Sequence, residues 1–158
     1  VGLRSMSPLR VRQAINAANP TSMIRVHTAN GYGSTNTKIR RFSTVVVSQG
    51  SDITRNDSAD TGTYFSINTN GVYSVTYSDN FSTASTAAIV LNDSSPSAAI
   101  GSLPASDLLA LDTGSASGHS ANLCWCGYLA AGSNIYPHTD GTAALSNSTS
   151  SMTVSRVG

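Results

Sequence analysis

Along most of this chain apolar and polar residues alternate with a period of two, which in a strand sends successive side chains to opposite faces. Residues 23–28 alternate in this way, and the glycines of Asn30-Gly31-Tyr32-Gly33-Ser34 mark a loop after them. A second strand is predicted over 40–47, ending in Val45, Val46 and Val47, and a short one around Ile53. Phe65 and Ile67 precede the turn Asn68-Thr69-Asn70-Gly71, and Tyr73, Val75 and Tyr77 follow it. Two alternating runs around such a turn predict a hairpin with one aromatic face. Further strands are predicted over 87–91, 108–111, 119–130, 134–138 and 152–157, with a turn-rich stretch over 93–104. Residues 1–22 keep no sustained period and hold Pro8 and Pro20, which predicts an arm with at most one short helical turn. The fold class that follows is all-β: a jelly-roll sandwich of about nine to ten antiparallel strands over 23–158, preceded by an extended N-terminal arm over 1–22.

Composition supports the same class. Ser, Thr, Asn and Gly dominate, Glu is absent and charged residues make up only 11% of the 158, whereas helix surfaces are normally built on Glu and Lys. A chain of this length buries one core without staples. The net charge of +1 conceals a division, because eight of the nine basic residues precede residue 56 and seven of the eight Asp follow it. A basic arm of this kind suits an acidic protein surface, nucleic acid or a membrane. Arg4, Arg10, Arg12 and Arg25 supply charge, but the arm lacks the aromatic platforms on which single strands of nucleic acid stack. No apolar run approaches the ~20 residues that a membrane-spanning helix needs. Neither nucleic acid nor membrane is therefore an expected partner.

The 123–130 strand is apolar on both faces, with Leu123, Trp125 and Leu129 on one and Cys124, Cys126, Tyr128 and Ala130 on the other. An antiparallel sandwich strand usually wets one face, so either another element or another subunit is expected to cover the second. Cys124 and Cys126 point to the same side, where a bridge between them is strained, and they read as buried thiols.

Candidate chemistry is sparse. Leu109-Ala110-Leu111-Asp112-Thr113-Gly114-Ser115 looks like the turn of an aspartic protease, in which two carboxylates share a proton to activate water. A single copy needs a homodimer and further elements after the Asp than the remaining residues hold. Asp112 therefore reads as structural, and a peptidase is a distant alternative. His27, His119 and His138 with Cys124 and Cys126 carry zinc-type donors but fit no familiar spacing. Ser117-Gly118-His119-Ser120 lacks the nucleophile elbow. No catalytic residue, metal or cofactor is expected.

The pattern Phe65, five residues, Gly71, Tyr73, Val75, Tyr77 is similar to the second half of the signature of the C1q and tumour-necrosis-factor superfamily, with Val75 in the place of a Phe. With Asn30-Gly31-Tyr32-Gly33-Ser34, Lys38-Ile39-Arg40-Arg41-Phe42, Gly50-Ser51-Asp52-Ile53-Thr54, 129–135 and 152–157, the chain resembles a group of small bacteriophage structural proteins built on that jelly roll. The resemblance implies a homotrimer, with Tyr73, Tyr77, Cys124, Cys126 and Tyr128 assigned to the interface. It also implies a virion role without enzymatic activity. Decoration or cementing of the head is expected, on the outer surface of the capsid after synthesis in the bacterial host cytoplasm, with Arg4, Arg10, Arg12 and Arg25 binding the major capsid protein. The alternative is a receptor-binding knob on a tail fibre.

Overall fold

The computed structural model describes residues 21–33, 37–115, 118–140 and 146–158. Of the arm expected over 1–22, residues 1–20, with Arg4, Arg10 and Arg12, lie outside the described residues, and Ser22 already belongs to the first strand. Ten strands follow one another: β1 (Ser22–Tyr32), β2 (Arg40–Gln49), β3 (Ile53–Ser58), β4 (Gly62–Ile67), β5 (Gly71–Asn80), β6 (Ser85–Leu91), β7 (Leu108–Gly114), β8 (Ser120–Leu129), β9 (Asn134–Thr139) and β10 (Ser146–Arg156). They form two antiparallel five-stranded sheets, β2-β1-β10-β5-β8 and β3-β4-β9-β6-β7. The predicted all-β sandwich is the observed architecture.

The core lies between the sheets and comes from one parity of each strand. Ile24, Val26, Phe42, Tyr73, Val75, Tyr77, Leu123, Leu129, Met152 and Val154 enter from the first sheet, and Ile53, Phe65, Ile67, Ala87, Ile89 and Ile135 from the second. Each large side chain fully removed from water contributes about 1.5–3 kcal/mol against the entropy of ordering the chain.

The expected aromatic hairpin is a correction. β4 and β5 belong to different sheets, so 68–70 is a corner that carries the chain across the sandwich. β4 pairs instead with β3, from Ile53↔Ile67 to Ser58↔Gly62, and β5 pairs with β8 and β10. A hairpin and a corner share one local signal, two alternating runs around a glycine. Here the corner is held by long-range bonds, Ile67 N–H to Ser133 O and Asn68 N–H to Asp52 O, each 2.8 Å. Phe65 and Ile67 therefore face Tyr73, Val75 and Tyr77 through the core instead of lying beside them.

β6 is buried on both faces, because 92–104 folds over the outside of the second sheet. Ala88 and Val90 meet Ile100 and Leu103 there in a small second core. His138 on β9 fastens this flap: its Nδ1 lies 2.6 Å from Asp93 Oδ2 and its Nε2 3.0 Å from Ala98 O, with both side chains fully buried. The backbone N–H groups of Ile100 and Lys38 add bonds to Asp140 Oδ2 and Pro96 O.

A buried ion pair closes one end of the first sheet. Arg40 on β2 donates from Nε to Asp79 Oδ2 at 2.6 Å and from Nη2 to Oδ1 at 3.2 Å, and both side chains are fully buried. Asp79 also accepts from Tyr77 OH at 2.8 Å, from Ser150 Oγ and from the Asn80 N–H. The guanidinium donates to Gly31 O and stands 5.1 Å from the centre of the Tyr32 ring, whose hydroxyl reaches Thr139 across the sandwich at 2.9 Å. Burial alone would depress the Arg40 pKa, but the hydrogen bond and charge of Asp79 outweigh it and the value is raised. Burial pushes the Tyr77 hydroxyl well above its ordinary value.

Two measurements check this account. Asp79→Ala strands a buried cation and is expected to cost about 3–5 kcal/mol in urea unfolding, whereas Arg40→Met with Asp79→Leu together should cost clearly less than the sum of the single changes. Asp93→Ala should release the flap, so that hydrogen exchange accelerates at Ala98, Ile100 and Leu103 before it does in β5.

Candidate functional site

No other described element covers the outer face of the first sheet. β8 is an edge strand there, and its register with β5 sets Cys124 opposite Thr76, Cys126 opposite Ser74 and Tyr128 opposite Val72. β10 and β1 extend these rows. Thr76 pairs with Thr153 and then Arg25, and Ser74 pairs with Ser155 and then Met23. The face is thus a grid of hydroxyls bordered by thiols and apolar groups, with Tyr128 64% exposed, and Val72 and Val157 also exposed.

Parity decides where each predicted interface residue falls. Tyr73 and Tyr77 are fully buried and point into the core with Val75, so their assignment to an interface is corrected: the outward positions of β5 are 72, 74, 76 and 78. Tyr73 OH donates to Thr69 O at 2.6 Å, which ties it to the corner. Cys124 and Cys126 are exposed, and the expectation of buried thiols is corrected as well. Leu123 and Leu129 turn inward on β8, with Trp125 packed against the core, and no described element covers the opposite face. Arg25 is exposed and lies in the same row as Cys124, three strands and roughly 14 Å away.

Among the described residues most of the charge is paired inside the fold. Lys38 pairs with Asp140 at 3.3 Å, Arg41 with Asp57 at 2.8 Å, Arg55 with Asp57 at 3.4 Å and Arg156 with Asp52 at 3.4 Å, besides Arg40 with Asp79. Of the basic residues described, only Arg25 has no carboxylate partner among the described residues. A hydrogen bond from Arg41, reinforced by the charge of Arg55, holds the Asp57 carboxyl below its ordinary pKa. Hydrogen bonds from Thr69 and Ser22, then Arg156, do the same for Asp52.

The remaining candidates are dispersed. Asp112 stands within β7, opposite Ala87, where Oδ2 accepts from the Asn122 N–H at 3.2 Å and Oδ1 lies 3.6 Å from His119 Nε2. Its partner is a strand ten residues on and not the following turn, so it links the rims of the two sheets. His119 stacks on Phe81, His27 lies on β1 and His138 sits under the flap. On the outer face of the second sheet Tyr64 and Tyr136 stack at 5.1 Å, beside a chain of bonds from Asn56 to Ser66 to Asn134. This aromatic pair escaped sequence reasoning, although each tyrosine neighbours an inward residue, Phe65 or Ile135, whose parity it must oppose.

Solved structures share this architecture. Murine APRIL at pH 8.5 superposes with a TM-score of 0.59, at 11% identity, over 85% of this chain and 98% of that one. Eiger TNF from S. frugiperda gives 0.55, at 7% identity, over 89% and 94%. The fold is a TNF-like jelly roll. At such identities the jelly roll alone is shared. No family model matches the chain, and no curated protein does.

Because the Asp57 pKa is depressed in the folded state, its pairing stabilises the jelly roll above the unfolded Asp value near 3.9 and is lost as pH falls through the lower folded value. Asp57→Asn should therefore lower the melting temperature slightly at neutral pH, by an amount worth about 0–1 kcal/mol, and the gap to the wild type should close in acid. A gap that persists below pH 2 would contradict this assignment.

Proposed function

We propose that the chain is a non-enzymatic virion structural protein: a homotrimeric decoration or cement protein that binds and stabilises the major capsid protein lattice of a bacteriophage head. The observation that carries the reading is the uncovered outer face of β8 and β5, with Val72, Cys124, Cys126 and Tyr128 exposed at a sheet edge. A contiguous patch of this kind beside an unpaired strand edge is a surface for association. Three copies joined head to tail close a ring and leave no free patch to propagate a filament. An obligate interface of this type buries ~2,000 Å² or more.

Attachment to the head falls to the basic arm and Arg25. Among the described residues five of the six lysines and arginines pair with Asp inside the jelly roll and Arg25 does not, and Arg25 joins Arg4, Arg10 and Arg12 of the arm in the proposed contact with carboxylates on the capsid protein. Exposed pairs contribute only ~0–1 kcal/mol each, so useful affinity needs three arms acting together. A second reading, the receptor-binding knob of a tail fibre, is favoured by the Tyr64–Tyr136 stack with its neighbouring amides and hydroxyls, a combination suited to sugar rings.

Light scattering should report a trimer at micromolar concentration, and Tyr128→Asp should reduce it to monomer without unfolding it, since the side chain is exposed. High salt should strip the protein from isolated heads while the trimer survives, because charge joins it to the head and apolar contact joins the subunits. A wild-type monomer would remove the trimer. Copurification with tails instead of heads would replace decoration by the knob.

A further inference from the structure

We propose that Cys124 and Cys126 form a two-thiolate site for a soft monovalent d10 cation of the copper(I) class. Trp125, between them, turns inward against the core, and its ring lies so close over Gly127 that a Cβ there would come within 2.5 Å of it. That anchor fixes the parity of the strand, so both thiols stand free and exposed on the outer face.

Spacing separates the chemistries open to such a pair. Alternate residues of a strand lie about 6.6 Å apart along it, whereas a disulfide needs its Cβ atoms to close to about 3.8 Å. A flat strand therefore keeps the two thiols reduced with respect to each other. A metal–thiolate bond is about 2.3 Å, so a linear sulfur–metal–sulfur unit spans about 4.6 Å, and each sulfur leans only about 1 Å toward its neighbour to reach it.

Donor number selects the ion. Among the described residues no three His, Cys, Asp or Glu side chains converge, which leaves tetrahedral zinc without half of its ligands. Two soft thiolates complete the linear coordination that copper(I) accepts. Thr76 and Ser74 stand opposite Cys124 and Cys126 in register and bring hydroxyls to the same rows, as outer-shell neighbours of the proposed site. On binding, each thiol releases its proton to solvent as its sulfur–copper bond forms. Two thiols and one Cu⁺ give a monoanionic dithiolate and two protons, and no electron moves.

Both donors come from one strand, so the site does not require the proposed trimer, although in it the ion would lie on the associating face. The test is anaerobic titration of the reduced protein with copper(I) supplied as its bicinchoninate complex, whose loss of colour reports transfer. One copper per chain is expected. Cys124→Ser and Cys126→Ser should each weaken binding by about hundredfold or more, since even outer-shell partners of a metal are worth about 10–100-fold. Loading should raise the melting temperature, because a ligand stabilises only where it binds the native chain better than the unfolded one. Absence of transfer, transfer indifferent to either substitution, or a melting temperature that does not rise would each overturn the proposal. Light scattering on the same samples keeps the two readings apart. Copper held by a chain that stays monomeric overturns the trimer alone, and a trimer that takes no copper overturns the thiolate site alone.

Discussion

A fully buried Arg40–Asp79 pair holds this sandwich in register. Taking a guanidinium and a carboxylate out of water costs several kcal/mol per ion, and only near-ideal geometry with every remaining donor and acceptor satisfied offsets it. That requirement acts on four strands at once. β2 supplies the cation, β5 the anion, β10 the Ser150 hydroxyl and β1 the Gly31 carbonyl and the Tyr32 ring. A slip of one residue in any of these strands would turn its contribution to the opposite face and leave an ion unsolvated in the core. Apolar contacts tolerate substitution by residues of similar volume, but this network does not, so it selects one register among those that hydrophobic burial alone would accept.

Much of the architecture was legible in the alternation of the chain, and the misreadings share one cause. Period two tells which side chains share a face, but not what lies opposite that face. The corner over 68–70 carries a hairpin's local signal, because strand partners are chosen by distant segments. Burial of Cys124 and Cys126 was inferred from their apolar neighbours, although no described element packs there. The ion pair itself was within reach. Arg40 has the parity of Phe42, and Asp79 that of Tyr73, Val75 and Tyr77, so both were marked as inward by the residues beside them. What alternation could not reveal was that two lone inward charges, 39 residues apart, were each other's partner.

The surface follows from the same economy. Because the described cations other than Arg25 find carboxylates within the fold, the outer face of the first sheet presents hydroxyls, thiols and one tyrosine, with Arg25 at its far side. Such a face is inexpensive to dehydrate compared with one studded with ions. The flap gives the second sheet a different outside: Ile100 and Leu103 seal the region over Ala88 and Val90, and Tyr136, packed against that small core, stacks on Tyr64 beside it. The two flat sides of one sandwich are thereby chemically distinct.

The place of β10 has a consequence for how the protein is made. It lies between β1 and β5, and Ser22 pairs with Arg156 across nearly the whole described chain. Until residues 146–156 have emerged from the ribosome, β1 with β2 and β5 with β8 are two separate ribbons with an open channel between them. Contacts of such long sequence separation form slowly and leave strand edges exposed meanwhile. The uncovered face is also divided until that strand arrives, since its middle column is Ser151, Thr153 and Ser155. A chain that lacks β10 therefore carries the outward rows of β1 and β5 without the column of hydroxyls that joins them, and the outer face becomes one surface only when the last strand is in place.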